Sequence, residues 1–286
     1  MAEANYFVLQ VVRIVVLGIA QGSGLFSPIP LQSRLSFLQK LIGIDILASA
    51  NPYVLFFLQM GTVFSVIFVF RKRISELLLA MRLVFMRIFR GEFVWVQART
   101  DQKIALSVIV SILPSIAVSL IFSFLYGEKE KPELFWGIFF ILSAVIYFFS
   151  DREKNSSRHT YKLSVMNAFF AWLGCIVGIV PGVSSPCVSA TVCIRNHFKR
   201  TFCVEYAFFL SVPLFLADAI VSLIRGIVQN ADIADIPYGL FGMVISFGIG
   251  LVFVTIIKKL VEKRKMYIFA AISVIFGLAS LVLSVV

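Results

Sequence analysis

The chain has 286 residues, 60% of them hydrophobic and 14% charged, with a mean hydropathy of +0.97. A soluble protein carries nearly twice that charged share, so a soluble enzyme is excluded and a polytopic membrane protein is expected. The net charge of +11 would suit nucleic acid in a soluble chain. Here the basic residues cluster between apolar stretches, where they set topology and meet anionic headgroups, so nucleic acid is not an expected partner.

Residues 5–20 predict an apolar helix carrying Arg13. A small-residue loop follows, Gln21-Gly22-Ser23-Gly24-Leu25-Phe26-Ser27-Pro28-Ile29-Pro30, then an amphipathic arm over 31–44 with Gln32, Arg34, Gln39 and Lys40. Glycine, proline and serine break a helix and expose backbone polar groups. In hydrocarbon such backbone survives only where protein or water satisfies it. Neither arm has the roughly 20 apolar residues of a span, so 1–44 predicts a re-entrant hairpin with the loop at its tip.

Residues 52–70 predict a span that ends on Arg71-Lys72-Arg73. Over 71–103, basic residues alternate with Leu78, Leu79, Met81, Val84, Phe85, Ile88 and Phe89 at helical spacing. This predicts one basic amphipathic helix on the anionic cytoplasmic leaflet. Residues 104–126, with Pro114, and 134–149 predict two further spans, and the polar stretch 151–162 predicts a linker.

The second half repeats the plan. An apolar arm over 163–180 leads to a loop, Pro181-Gly182-Val183-Ser184-Ser185-Pro186-Cys187, and a second arm over 188–198. Spans are predicted over 204–224, 237–257 and 266–286, with a basic block at 258–265. Cys175, Cys187, Cys193 and Cys203 form no C-x-x-C pair, so neither a zinc site nor a redox motif is expected, and they read as small buried hydrophobes. The first residues lack a basic n-region and a small-residue cleavage site, so no removable signal peptide is expected.

Charge placement orients these elements. With the basic blocks at 71–73, 195–200 and 258–265 inside, the segment 163–198 must start and finish inside, and 1–44 must start and finish outside. Each half is then a hairpin plus three spans, and an odd number of crossings inverts the second copy. The predicted fold is an all-α polytopic membrane protein, a single membrane domain over 1–286. It is built of two inverted-topology repeats, 1–150 and 163–286, joined by the linker 151–162, each a re-entrant helical hairpin plus three transmembrane helices. Two broken helices in corresponding places point to a binding site near the bilayer midplane. Gln21, Ser23, Ser27, Ser184 and Ser185 are expected around one polar cavity.

At these loops the chain resembles the undecaprenyl-diphosphate phosphatases, polytopic enzymes that recycle the bacterial cell-wall carrier lipid. That family carries E-G-x-T-E-F-L-P-x-S-S-T-G-H in its first loop and P-G-x-S-R-S-G-A-T in its second. The resemblance covers nearly the whole chain. It includes Gln59-Met60-Gly61, Arg71–Arg73, and the run Glu205-Tyr206-Ala207-Phe208-Phe209-Leu210-Ser211-Val212-Pro213, which looks like the family's E-F-S-F-L-L-x-x-P. Gly22, Phe26, Pro28, Pro181, Gly182 and Ser184 keep the frame. The family's two glutamates fall on Gln21 and Leu25, its serines on Pro30 and Leu31, its histidine on Arg34 and its arginine on Ser185.

Hydrolysis of a diphosphate needs charge neutralised by a metal or by Arg and Lys, and a nucleophile with a positioned base. An amide is a poor Mg²⁺ ligand and an alkyl group is none. The expected function is therefore an undecaprenyl-diphosphate phosphatase-like membrane protein that binds or translocates a polyprenyl phosphate or diphosphate, with the phosphatase chemistry lost. The alternative is a divergent, active undecaprenyl-diphosphatase. The substrate-binding candidates are Gln21, Ser23, Ser27, Arg34, Gln59, Ser184, Ser185 and Ser189. Arg34 and helix N-termini at the loop tips would hold the headgroup, and grooves built from the 30 Phe would hold the prenyl tail. No catalytic residue and no metal ligand is assigned. No cofactor is expected, Mg or Ca entering only on the phosphatase reading. The resemblance implies a multi-pass protein of the bacterial plasma membrane, in contact with anionic lipids; a homodimer is left open.

Overall fold

The computed structural model describes residues 2–24, 51–110, 117, 133–153, 166, 173 and 184–283. They form α1 (Ala2–Gly22), α2 (Pro52–Val69), α3 (Arg71–Phe89), α4 (100–110), α5 (Glu133–Asp151), α6 (Ser185–Arg195), α7 (Arg200–Val228), α8 (Ile236–Glu262) and α9 (Tyr267–Leu283). Pro52–Val69, Arg200–Val228 and Ile233–Glu262 are each long and apolar enough to cross a membrane. This is the helical architecture of a polytopic membrane protein. The arm over 31–44 and the segment 154–165 lie outside the described residues.

The chain forms two compact units, Met1–Val69 with Leu214–Ile257 and Phe70–Pro213 with Lys258–Val286. Inside α7 the boundary falls at Pro213, whose ring removes one helical hydrogen bond.

In the first unit the core is Ile14, Leu17 and Ala20 of α1 against Val54 and Leu58 of α2, with Tyr238 of α8 packed on it. Glycines let the backbones approach. A Cβ at Gly18 would meet Ile245 at 2.9 Å, one at Gly22 would meet the Ser246 carbonyl at 2.7 Å, and one at Gly242 would meet Leu58 at 2.9 Å. Apolar helices in lipid gain nothing by hiding apolar surface from water, so close van der Waals packing at small residues and interhelical hydrogen bonds hold them together. One such bond runs from Ser246 Oγ to the Leu58 carbonyl, 2.8 Å. At one end of α2, Asn51 accepts from the Tyr53 amide (3.0 Å) and donates to the Asp232 carbonyl (2.7 Å) and to Asp235 Oδ2 (2.9 Å). It caps one helix while tying down the turn before another.

In the second unit α5 and α9 lie so close that Gly137 and Gly277 face each other. A Cβ on either would stand 3.2–3.3 Å from the other's carbonyl oxygen. Arg200, 6% exposed, gathers four helix ends. Its guanidinium donates to Asp151 Oδ1 (2.9 Å), to the Ser150 carbonyl in the last turn of α5 (3.2 Å), to the Glu153 carbonyl just beyond it (3.3 Å), and to the Val261 carbonyl (3.4 Å) of α8. The other Asp151 oxygen accepts the first amide of α9, Tyr267, at 2.8 Å.

The basic amphipathic segment is not one helix over 71–103. It stops at Phe89, because Gly91 takes φ +68°. The Glu92 amide then reaches back to the Arg87 carbonyl and the Gly91 amide to Ile88, each at 3.0 Å, which closes the helix end. A Cβ at Gly91 would meet nothing within 4 Å, so only backbone strain opposes a side chain there. Gly91→Ala is expected to destabilise this helix end by about 1–2 kcal/mol. Faster hydrogen exchange at the Gly91 and Glu92 amides would report it, and unchanged exchange would refute it.

Candidate functional site

In the first unit the expected residues Gln21, Ser23 and Gln59 are all partly buried. The helical hydrogen bonding of α1 carries through Gly22, so Gln21 stands on the last turn of a helix and not in a loop. The Ser23 amide closes on the Ile19 carbonyl at 3.0 Å, and its hydroxyl returns to the Ala20 carbonyl at 3.2 Å. Leu25, Ser27 and Arg34 lie outside the described residues.

Gln59 sits on α2 two residues before Gly61, with its Oε1 3.0 Å from the hydroxyl of Ser222 on α7. The same hydroxyl lies 3.1 Å from the Asp218 carbonyl. One hydroxyl proton serves one acceptor at a time. With the Gln59 amide turned over, its NH₂ donates to Ser222 while Ser222 donates to Asp218, and both contacts are satisfied.

The second unit holds Ser184, Ser185 and Ser189. Ser184 is extended (φ −91°, ψ 115°) and caps α6, with Pro186 in the first turn, where a missing amide proton costs nothing. The helix therefore begins at Ser185, inside the stretch 181–187 that the sequence assigns to a loop. Ser184 and Ser189 are buried, at 7% and 0% exposure. The Ser184 amide points at the hydroxyl of Tyr147 on α5, 3.4 Å away. That hydroxyl also meets Ser143 and the Cys187 thiol, and Cys187 in turn meets Ser184. The small polar groups of this motif are thus held by one another around a buried phenol. Cys187, Cys193 and Cys203 are buried free thiols, as expected of small hydrophobes.

Glu205, half-buried at the start of α7, faces Arg73 Nε at 3.7 Å. Arg73 also binds Glu76 at 2.9 Å. The hydrogen bond to Glu76, then the Glu205 charge, hold the Arg73 guanidinium above its usual pKa. This pair fixes the start of α3 against α7.

Among the described residues no three His, Cys, Asp or Glu side chains converge into a metal cage. The amide at 21 and the alkyl group at 25 do not fit a divalent cation either. One acidic residue escapes the sequence reading. Asp218 lies in the middle of α7, within the apolar run Leu214–Ile220, and is exposed. A charge inside a span is itself a signal of function.

Comparison with known proteins completes the picture. The family model described as Bacitracin resistance protein BacA matches residues 14–279. A relative from Christiangramia forsetii named Undecaprenyl-diphosphatase is 27% identical over 276 residues, 94% of this chain and 96% of the relative. Relatives of the same name from Tropheryma whipplei and Buchnera aphidicola are 23% and 27% identical, covering 96% and 89% of this chain and 99% and 92% of their own lengths.

Proposed function

The chain belongs to the Bacitracin resistance protein BacA family, and on that premise we propose that it is a multi-pass enzyme of the bacterial plasma membrane acting on undecaprenyl diphosphate. The reaction is hydrolysis to undecaprenyl phosphate and phosphate. The observation that carries this reading is the family match over residues 14–279, together with full-length relatives named Undecaprenyl-diphosphatase. Gln21, Ser23, Ser27, Arg34, Gln59, Ser184, Ser185 and Ser189 bind the diphosphate head. Arg34 does so through charge-assisted bonds. The same reading carries the inverted-topology repeats, with 71–103 and 258–265 in the cytoplasm and exposed Leu78, Leu79, Phe85 and Phe89 of α3 dipping into the headgroup layer.

A second reading, a protein that holds or translocates the lipid without cleaving it, is favoured by Gln21, Leu25, Arg34 and Ser185, where the family pattern has carboxylates, a histidine and an arginine. Phosphate release from undecaprenyl diphosphate by the purified protein, with and without Mg²⁺ or Ca²⁺, separates the two. Turnover supports the enzyme. Tight lipid binding with no release overturns it in favour of the second reading. On either reading Arg34→Ala is expected to weaken lipid binding by about 1.5–3 kcal/mol, the scale of hydrogen bonds to charged groups.

A further inference from the structure

Ser184 is held through each of its polar atoms. Its carbonyl accepts the Val188 amide at 3.0 Å, the first bond of α6. Its own amide precedes the helix and is buried, and a buried N–H without an acceptor costs about as much as a lost hydrogen bond. The acceptor it finds is the Tyr147 phenol oxygen on α5, 3.4 Å away. The hydroxyl does not do what a serine in this place commonly does. It caps no amide of α6, and it meets the Cys187 thiol instead.

The protons give this set a direction. Ser143 spends its proton on the Phe139 carbonyl at 2.9 Å, so towards Tyr147 it can only accept. The phenol thus takes the Ser184 amide proton and gives its own to Ser143, a line of bonds from the start of α6 to the backbone of α5. The Cys187 thiol stands between the phenol and the Ser184 hydroxyl. When it donates to Ser184 Oγ, the serine proton is left for an outside acceptor, which is what a phosphate oxygen offers. Ser143, Tyr147 and Cys187 are fully buried, whereas Ser184 is 7% exposed. The serine is the member of the set with an open side. A phenylalanine would fill the place of Tyr147 with no oxygen to satisfy, and a buried hydroxyl costs unless it is bonded. Its bonds are therefore what the phenol is there for.

We propose that Tyr147 is a positioning residue for the head of a bound prenyl diphosphate. Its phenol fixes the Ser184 backbone and, through the Cys187 thiol, aims the Ser184 hydroxyl at a phosphate oxygen. This rests on the substrate class proposed above.

The test is farnesyl diphosphate binding to the full-length protein in detergent, measured by titration calorimetry. Helix content against added SDS on the same samples reports folding. Tyr147→Phe is expected to weaken binding by about two- to tenfold, the scale of one neutral hydrogen bond. Cys187→Ala should do the same, and Cys187→Ser, which returns a donor and acceptor to that place, should recover most of the loss. A cluster that only packed α5 on α6 would make serine no better than alanine. In Ser184→Ala protein the Tyr147→Phe loss should shrink, because residues that act through one another do not add. Where Tyr147→Phe fails to fold, the two Cys187 variants decide. Affinity unchanged in either folded variant, Tyr147→Phe or Cys187→Ala, overturns the assignment and leaves the substrate class standing. So does an equal loss in Cys187→Ala and Cys187→Ser, or a Tyr147→Phe loss undiminished beside Ser184→Ala. No farnesyl diphosphate bound by the folded wild type sinks the substrate class, and the assignment with it.

Discussion

Arg200→Ala is expected to destabilise the second unit by about 3–5 kcal/mol, the range found when one partner of a buried ion pair is removed. The guanidinium is 6% exposed and spans Asp151 and three carbonyls at or just beyond the ends of two helices. Truncation leaves the Asp151 carboxylate with the Tyr267 amide in place of a guanidinium, and leaves the ends of α5 and α8 without their shared donor. The gain from the intact cluster is smaller than its list of bonds suggests, since Arg200 Nε is buried and has no partner among the described residues. Arg200→Lys keeps the charge but not the planar fork, and should recover only part of the loss. Helix loss followed by circular dichroism against added SDS would measure both. A midpoint unchanged in Arg200→Ala would show that the cluster is decoration.

Gly61→Ala should be nearly as damaging in the first unit. A Cβ at Gly61 would run into the Met243 carbonyl and would stand 3.1 Å from the Phe247 amide nitrogen. These are backbone atoms of α8 and cannot rotate away. The helices must separate, and the Ser246 bond to the Leu58 carbonyl one turn away is lost with them. Overpacking of this kind costs about 1–3 kcal/mol, with about 0.6 kcal/mol more for the interhelical bond. Gly248→Ala is the control. Its Cβ would meet nothing within 4 Å, so that variant should be neutral or gain up to about 1 kcal/mol of helix propensity. Equal midpoints for the two variants would refute the packing argument.

Long apolar runs announce themselves. The stretch 52–70 is α2 to within a residue, and 134–149 and 266–286 fall on α5 and α9. Helix ends are harder, because polar residues extend a helix at no cost where water or a partner serves them. Thus α7 starts at Arg200 and not at 204, held by the bonds of that arginine, and α8 runs on through Lys258 to Glu262. The break at Gly91 rests on a positive φ that no hydrophobic pattern reports. Of the candidate site, the frame residues are visible as motifs, but their surroundings are not. That Ser184 meets Tyr147 across 37 residues, or Gln59 meets Ser222 across 163, is set by which helices pack together. Asp218 is the reverse case. It is plain in the sequence as one acid in an apolar span, but that it shares a helix face with buried Ser222 and Gly226 appears only in the fold.

The bond between Ser246 and Leu58 joins positions 188 residues apart. Ribosomes add roughly 5–20 residues per second, so α2 enters the bilayer about 10–40 seconds before the helix that fills its glycine notch has been made. During that interval Gly61 presents bare backbone to whatever lies beside it, whether lipid, the insertion machinery or a second nascent chain. A growing membrane protein of this design therefore needs a chaperoned wait. A truncated product ending before 243 should be recognised and degraded, however well each of its helices is inserted.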